Sequence, residues 1–321
     1  MTGGTVITPK SLAGQRVLVI GAAGFLGRHV VEAVLTEGGA AIGLDRNPAP
    51  ATFAGQGWHV AEATDIDLIR RLAQDATDVI FLAGHSRPAG GYASLASEID
   101  TEVTYALAAA EACRDAGVAR FIFASSGGTV YGADVAVPTT ETEPTTPRSS
   151  YGLAKLVVEH GLRLIAQQGQ MRAIVLRISN PYGPGQLVKR QQGIIAAAMN
   201  ALMSGQALEI WGDGSVIRDF LYVSDTAAAF TAALRSTEPY LLVNIGSGQG
   251  VSIRDLCDEI ARISGHPLNR TYLPDRSVDL PVAILDPSLA QKTLGWTPRV
   301  GLADGLRHTY DWWKKEQRNT P

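Results

Sequence analysis

Apolar residues in this chain fall into two patterns. RVLVI, AAIGLD, DVIFLAG, FIFASS and RAIVLRIS are short, dense apolar runs. Between them lie longer segments whose apolar positions recur every three or four residues: FLGRHVVEAVLTEG, IDLIRRLAQD, EIDTEVTYALAAAEACRDAG and SSYGLAKLVVEHGLRLIAQQ. A strand buried on both faces has no reason to alternate, whereas a helix lying on a sheet shows the longer period. The alternation predicts an α/β protein built on a doubly wound parallel sheet.

After Ser179 the rhythm changes. NPYGPGQ is a turn-rich crossing, GIIAAAMNALMSG a helix, and ALEIWGDGSVIRDFLYV holds short strands around glycines. DTAAAFTAALRS and VSIRDLCDEIARISG read as helices, and YLLVNIGSG as a strand returning to the main sheet. The pattern divides the chain into a dinucleotide-binding part, 1–179 with about 222–247, and a smaller interleaved α/β lobe, 180–221 with 248–321. That lobe is expected over the carboxyl ends of the strands, where open α/β sheets hold ligands.

Composition narrows the options. The 321 residues are 45% hydrophobic and 18% charged, which suits a packed globule, and the net charge of −3 gives no basis for nucleic acid or an acidic membrane as partner. No run approaches the ~20 apolar residues of a membrane helix, and MTGGTVITPK lacks an apolar stretch of signal length, so the cytoplasm is expected. Cys113 and Cys257 offer neither a disulfide framework nor a metal spacing and read as packed side chains.

Two motifs carry chemistry. In VLVIGAAGFLGRHVV, Gly21, Gly24 and Gly27 follow a strand and open a helix, the arrangement that lets backbone approach a pyrophosphate. Phe25 and Leu26 belong to the helix amino terminus, whose unpaired N–H groups face the phosphates. Asp45 ends the second strand, where a carboxylate accepts both ribose hydroxyls and favours NAD over NADP; Arg46 beside it could instead accommodate a 2′-phosphate. Asp65 and Ile66 fall where an adenine could be met, and Leu82, Ala83 and Gly84 end the next strand beside the expected cofactor. The second motif is YGLAK. Tyr151 and Lys155 stand four apart on one helix face, so an ammonium lies near a phenol and favours its ionised form. Tyr151 can then trade a proton with a substrate hydroxyl while hydride moves to or from nicotinamide. Elsewhere such a pair is often plain surface; here it opens a helix behind ASSGGTVYG.

GAAGFLG, SSGGTVYG, YGLAK, RISNPYGPGQ, GDGSVIRDF and LGW near Trp296 together resemble the extended short-chain dehydrogenase/reductase family, in its nucleotide-sugar epimerase/dehydratase branch. The likeness covers almost the whole chain. It implies a Rossmann fold, NAD, a nucleotide-sugar substrate and a homodimer through helices at 99–116 and 150–168. It further implies that Lys155 holds the nicotinamide ribose, that Asn180 contacts the sugar nucleotide, that Arg218 and Arg276 bind its diphosphate, and that Asp279 holds its ribose. Ala283 stands where relatives set the room beside the sugar C2 substituent, and a methyl group there permits an N-acetyl group. His85, Ser86 and Arg87 follow a strand end near the expected cofactor, where each reads equally as a substrate contact or as an ordinary loop residue.

Three positions depart from the family. Gly127 occupies the place of its catalytic serine or threonine, leaving Ser126 or Thr129 as substitute. Gly128 and Thr129 replace the Asp-Glu pair of the dehydratases. Glu102 stands where the family has an asparagine. The expectation is a nucleotide-sugar 4-epimerase acting on a UDP-hexose or UDP-N-acetylhexosamine through a 4-keto intermediate. The alternatives are a 4-ketoreductase consuming NAD(P)H and a non-catalytic NAD-sensing regulator.

Overall fold

The computed structural model describes residues 11–50, 53, 57–84, 95–186, 193–275 and 280–319. The chain opens with β1 (Arg16–Ile20), α1 (Phe25–Thr36), β2 (Ala40–Asp45), β3 (Trp58–Val60), α2 (Ile66–Ala73) and β4 (Asp78–Phe81). Next, α3 (Leu95–Glu98) passes through a wider, π-type stretch at Ile99–Thr104 into α4 (Tyr105–Asp115). β5 (Arg120–Ser126), the single turn α5 (Gly127–Val130), α6 (Ser150–Gln167), β6 (Arg172–Ile178) and β7 (Asn180–Tyr182) follow. Then come α7 (Ile194–Ser204), β8 (Leu208–Trp211), β9 (Ile217–Tyr222), α8 (Val223–Ala233) and β10 (Tyr240–Ile245). The chain closes with β11 (Gly250–Ser252), α9 (Ile253–Ser264), β12 (Arg270–Leu273), β13 (Val282–Ala283), α10 (Ser288–Leu294) and α11 (Leu302–Asn319).

Seven parallel strands form the main sheet in the order β10-β6-β5-β4-β1-β2-β3, the doubly wound arrangement expected from the apolar runs. One face is packed by residues of α2, α4 and α6, including Ile69, Ala109, Val158 and Leu162. The other is packed by α1 and α8, with Val30, Val34, Phe230 and Ala233. The winding reverses between β1 and β4, and open sheets part their loops to admit a ligand at such a point. A third core, around Tyr182, Met199, Phe220, Leu256 and Tyr310, holds α7, α9 and α11 to the short strands.

Three local departures from the apolar pattern stand out. The segment EIDTEVTYALAAAEACRDAG is not one helix: Ile99–Thr104 winds more widely before α4 begins. Its β-branched Ile99, Thr101, Val103 and Thr104 are weak α-formers, so the register can slip there. β3 is only WHV, too short and too polar to stand out as a run. NPY within the turn-rich crossing pairs in parallel with β9 as β7. Cys113 and Cys257 are buried and free, and burial pushes their thiols up to about 12 and about 11 respectively. Neither can supply a thiolate at neutral pH.

Buried charges tie the strands together. Arg177 on β6 donates from Nε and Nη2 to the Glu159 carboxylate on α6, and from Nη1 to the Tyr131 hydroxyl at 2.8 Å. Tyr131 in turn donates to Asn244 Oδ1 on β10, and Ser125 on β5 donates to Glu159. Breaking such a pair strands one charge out of water, whereas replacing both partners by apolar groups need not. Arg177→Met is therefore expected to cost about 3–5 kcal/mol in urea unfolding. The paired change Glu159→Leu with Arg177→Met should recover much of that loss.

Candidate active site

The glycine turn lies at the reversal point of the sheet. Gly21 has φ +91°, a conformation that glycine adopts without strain, and a Cβ there would stand 2.9 Å from the backbone nitrogen of Ala83. The turn after β1 and the Leu82–Ala83–Gly84 segment after β4 thus touch backbone to backbone. A Cβ on Gly27 would lie 2.1 Å from the Gly21 carbonyl oxygen, so α1 starts directly against the turn. Gly24 caps α1 without a side chain, which leaves the amino-terminal N–H groups around Phe25 and Leu26 open to an anion. Asp45 braces the turn: Oδ2 accepts from the Ala23 N–H at 3.0 Å, and Oδ1 accepts from the Asn47 backbone and amide nitrogens. Arg46 points to solvent. Asp65 is exposed and caps α2 by accepting from the Leu68 N–H at 2.9 Å, with Ile66 half-buried behind it.

Two residues beside the turn escaped the sequence reading. Asn47 holds the Asp45 carboxylate, and Arg28 donates to the Ala23 carbonyl at 3.2 Å, placing a guanidinium beside the turn. The signal for Arg28 was its place directly after Gly27.

Tyr151 and Lys155 sit at the start of α6, where the Ser149 hydroxyl accepts from the Gly152 N–H at 3.1 Å and so fixes the first turn. Lys155 is only 7% exposed. Its Nζ lies 5.4 Å from the Tyr151 ring centroid and 4.7 Å from that of Phe123. With so little solvent around it, the cation's field at the phenol is weakly screened. The turn α5 packs on the same helix start, since a Cβ on Gly152 would lie 2.3 Å from the Thr129 carbonyl oxygen. Ser126 caps α5 without using its hydroxyl, while Thr129 Oγ1 makes a long contact of 3.4 Å to the Ser126 carbonyl.

The hydroxyl missing at Gly127 has a packing cause. A Cβ on Gly127 would stand 2.4 Å from Cδ1 of Leu285, which is buried with Val130 and Tyr131. Leu285 is held in place where its N–H donates to Asp219, 3.3 Å away. Asp219 also accepts from the Ser247 N–H and hydroxyl and from the Gly248 N–H. Burial raises its pKa while these bonds oppose the shift. Neither Leu285 nor Asp219 was singled out from the sequence, because each is an ordinary core residue until Gly127 is placed beside it.

Asn180, Arg218 and Ala283 fall on three strands of one small sheet, β7, β9 and β13, and Arg218 pairs directly with Ala283. Asn180 Nδ2 donates to the Asp219 carbonyl at 2.8 Å, and Arg218 Nη1 donates to the Leu280 carbonyl at 2.6 Å. Nearby, β8 and β12 lead into a cleft of about 520 Å³ lined by Gly212, Asp213, Arg254, Tyr272 and Asp275. Arg276 and Asp279, which come after Asp275 in the sequence, lie outside the described residues, as do His85, Ser86 and Arg87. No cluster of metal-ligating side chains occurs among the described residues.

Residues 17–246 match the model of the NAD dependent epimerase/dehydratase family. The chain belongs to that family. The resemblance to the epimerase/dehydratase branch of the extended short-chain dehydrogenases therefore holds, and NAD is the cofactor of the family. UDP-glucose 4-epimerase of Mycolicibacterium smegmatis is 33% identical over 95% of this chain and 100% of its own length. The dTDP-4-dehydro-6-deoxyglucose reductase of Escherichia coli is 36% identical, over 59% of this chain and 60% of its own. Among solved structures, UDP-glucose 4-epimerase of Thermotoga maritima with UDP-glucose matches with a TM-score of 0.88 at 32% identity, covering 94% of this chain and 99% of that one. The turn around Gly21, the helix start at Gly24 and the Asp45 carboxylate at the end of β2 offer backbone N–H groups and an acceptor, a set of the kind that a dinucleotide requires.

Adding a side chain at Gly127 forces Leu285 aside in a packed core, a change of the kind that costs about 1–3 kcal/mol. Gly127→Ser should accordingly lower the unfolding midpoint. Leu285→Ala in the same chain should recover part of the loss, with the coupling read as a double-mutant cycle of denaturation midpoints.

Proposed function

We propose that this chain is an NAD-dependent nucleotide-sugar 4-epimerase whose substrate is a UDP-hexose or UDP-N-acetylhexosamine. One observation carries the reading: a lysine ammonium buried against the ring of Tyr151 at the start of α6, in a chain that belongs to an NAD-dependent family. Its similarity to UDP-glucose 4-epimerases over 94–95% of its length supports the choice of reaction and of a uridine nucleotide.

In this reading NAD supplies the hydride acceptor and donor. Tyr151 takes the proton of the sugar C4 hydroxyl as C4 gives up its hydride, and Lys155 holds the nicotinamide ribose. Ser126 or Thr129 bonds the reacting oxygen in place of the hydroxyl absent at Gly127. Arg218, Arg276 and Asp279 anchor the nucleotide while the 4-keto sugar turns about its diphosphate and takes hydride back on its other face. Asn180 and His85 contact the substrate, and Ala283 leaves room beside C2. Gly21, Gly24, Phe25, Leu26, Gly27, Asp45, Arg46, Asp65, Ile66, Leu82, Ala83 and Gly84 line the cofactor. The division into a dinucleotide-binding part (1–179 with about 222–247) and a sugar-nucleotide lobe (180–221 and 248–321) follows from these roles.

The proposal extends to a cytoplasmic homodimer. Val157 and Leu164 stand 39% and 64% exposed on α6, apolar surface that a second copy would cover, and two free thiols suit a reducing compartment. The similarity to a reductase of dTDP-linked sugars over part of the chain favours a 4-ketoreductase as the second reading.

Purified protein given UDP-glucose, UDP-galactose or their N-acetyl counterparts should interconvert each epimeric pair with no added cofactor, as read by chromatography. Tyr151→Phe should retain NAD while kcat falls by roughly 10²–10⁴. Turnover only with stoichiometric NAD(P)H would favour the reductase. Bound NAD with no sugar conversion by the unaltered chain would leave a cofactor-binding regulator.

A further inference from the structure

Glu102 lies in the π-type stretch between α3 and α4, with its side chain 3% exposed and its Oε2 4.0 Å from Lys155 Nζ, itself 8% exposed. Gly84 makes the room, since a Cβ there would come 3.1 Å from the same oxygen. The segment after β4, the wide helical turn and α6 thus meet at one carboxylate–ammonium pair. Both charges have left bulk water, so each acts on the other with little screening. An asparagine in this place, as the resemblance has it, is one methylene shorter and carries no charge.

We propose that Glu102 is a positioning residue for Lys155: its carboxylate fixes the ammonium and balances the positive charge that Lys155 presents to the nicotinamide. The inference rests on the reading of Lys155 as the residue beside the nicotinamide ribose. A lone buried cation there would disfavour the positively charged oxidised ring and hold the reduced form. An enzyme that must take a hydride and return it gains from a field close to balance. The wide turn has a role in this arrangement, because it lets an acidic side chain reach inward ahead of α4.

The test measures how readily bound NAD accepts a hydride from an outside donor, independently of sugar turnover. Sodium cyanoborohydride transfers hydride from boron to nicotinamide C4, and the NADH formed is followed at 340 nm on the holoenzyme. Glu102→Gln should raise the reduction rate at least about threefold, because one compensating charge is removed from a poorly solvated site. Glu102→Asn, measured alongside in case the longer amide disturbs folding, should do the same. Lys155→Met should slow reduction, and in that background Glu102→Gln should lose most of its effect. An unchanged rate in both Glu102 variants, with Lys155→Met still slow, overturns the proposal and leaves Glu102 a structural residue. If Lys155→Met also leaves the rate unchanged, Lys155 does not face the nicotinamide and the reading of the active site itself fails.

Discussion

Keeping the Lys155 ammonium at 7% exposure costs several kcal/mol of lost hydration unless its surroundings answer it. The answer is assembled from three elements: the carboxylate of Glu102, the face of Phe123 on β5, and the ring of Tyr151 one helical turn back. None of these elements holds the cation alone. β5 supplies an aromatic face midway along the strand, α6 supplies the phenol by helical spacing, and the wide turn at Ile99–Thr104 supplies the acid. The site therefore exists only if the parallel sheet brings β4, β5 and the helix start together at one edge. Much of the remaining architecture serves that convergence.

The buried polar network beneath the site is the clearest case. Glu159 lies one turn beyond Lys155 on α6 and is gripped by Arg177 from β6 and by Ser125 from β5, and Arg177 is tied in turn through Tyr131 to Asn244 on β10. Hydrophobic packing alone would let α6 slide along the sheet at little cost. Directional bonds with buried charges fix one register, because any other leaves a charge without a partner. Asp219 does similar work where the small strands meet the sheet, binding the Ser247–Gly248 turn and Leu285.

The sheet was legible from the sequence because five apolar runs alternate with amphipathic helices, and the glycine turn and YGLAK stood at the ends of recognisable elements. What could not be read had physical reasons. WHV is too short to register as a run, and NPY hides as a strand inside a segment dominated by Pro and Gly. The wide turn before α4 keeps the apolar spacing of an ordinary helix, so no periodicity betrays it. Asn47 reaches the turn through the Asp45 carboxylate and Arg28 through the Ala23 carbonyl, and only the place of Arg28 directly after Gly27 marks either in the sequence. Asp65 was placed by its position after a strand, and the structure shows it also capping α2.

Gly127 shows how a missing group can be understood only from its neighbour. By sequence it is a lost hydroxyl at a position where the family has a reactive one. In the structure, the space that a side chain at 127 would need is taken by Leu285, a residue more than 150 positions away, whose backbone is held by Asp219. Restoring a side chain at 127 alone would push the leucine against Val130 and Tyr131, with which it is buried. The hydroxyls that flank this gap in the chain are those of Ser126 and Thr129, on either side of the glycines. Thr129 turns its hydroxyl back toward the Ser126 carbonyl, whereas Ser126 caps the turn without spending its own on the helix. A hydroxyl already directed at a backbone carbonyl must leave that contact to turn elsewhere, so the two hydroxyls beside the glycines are not equivalent.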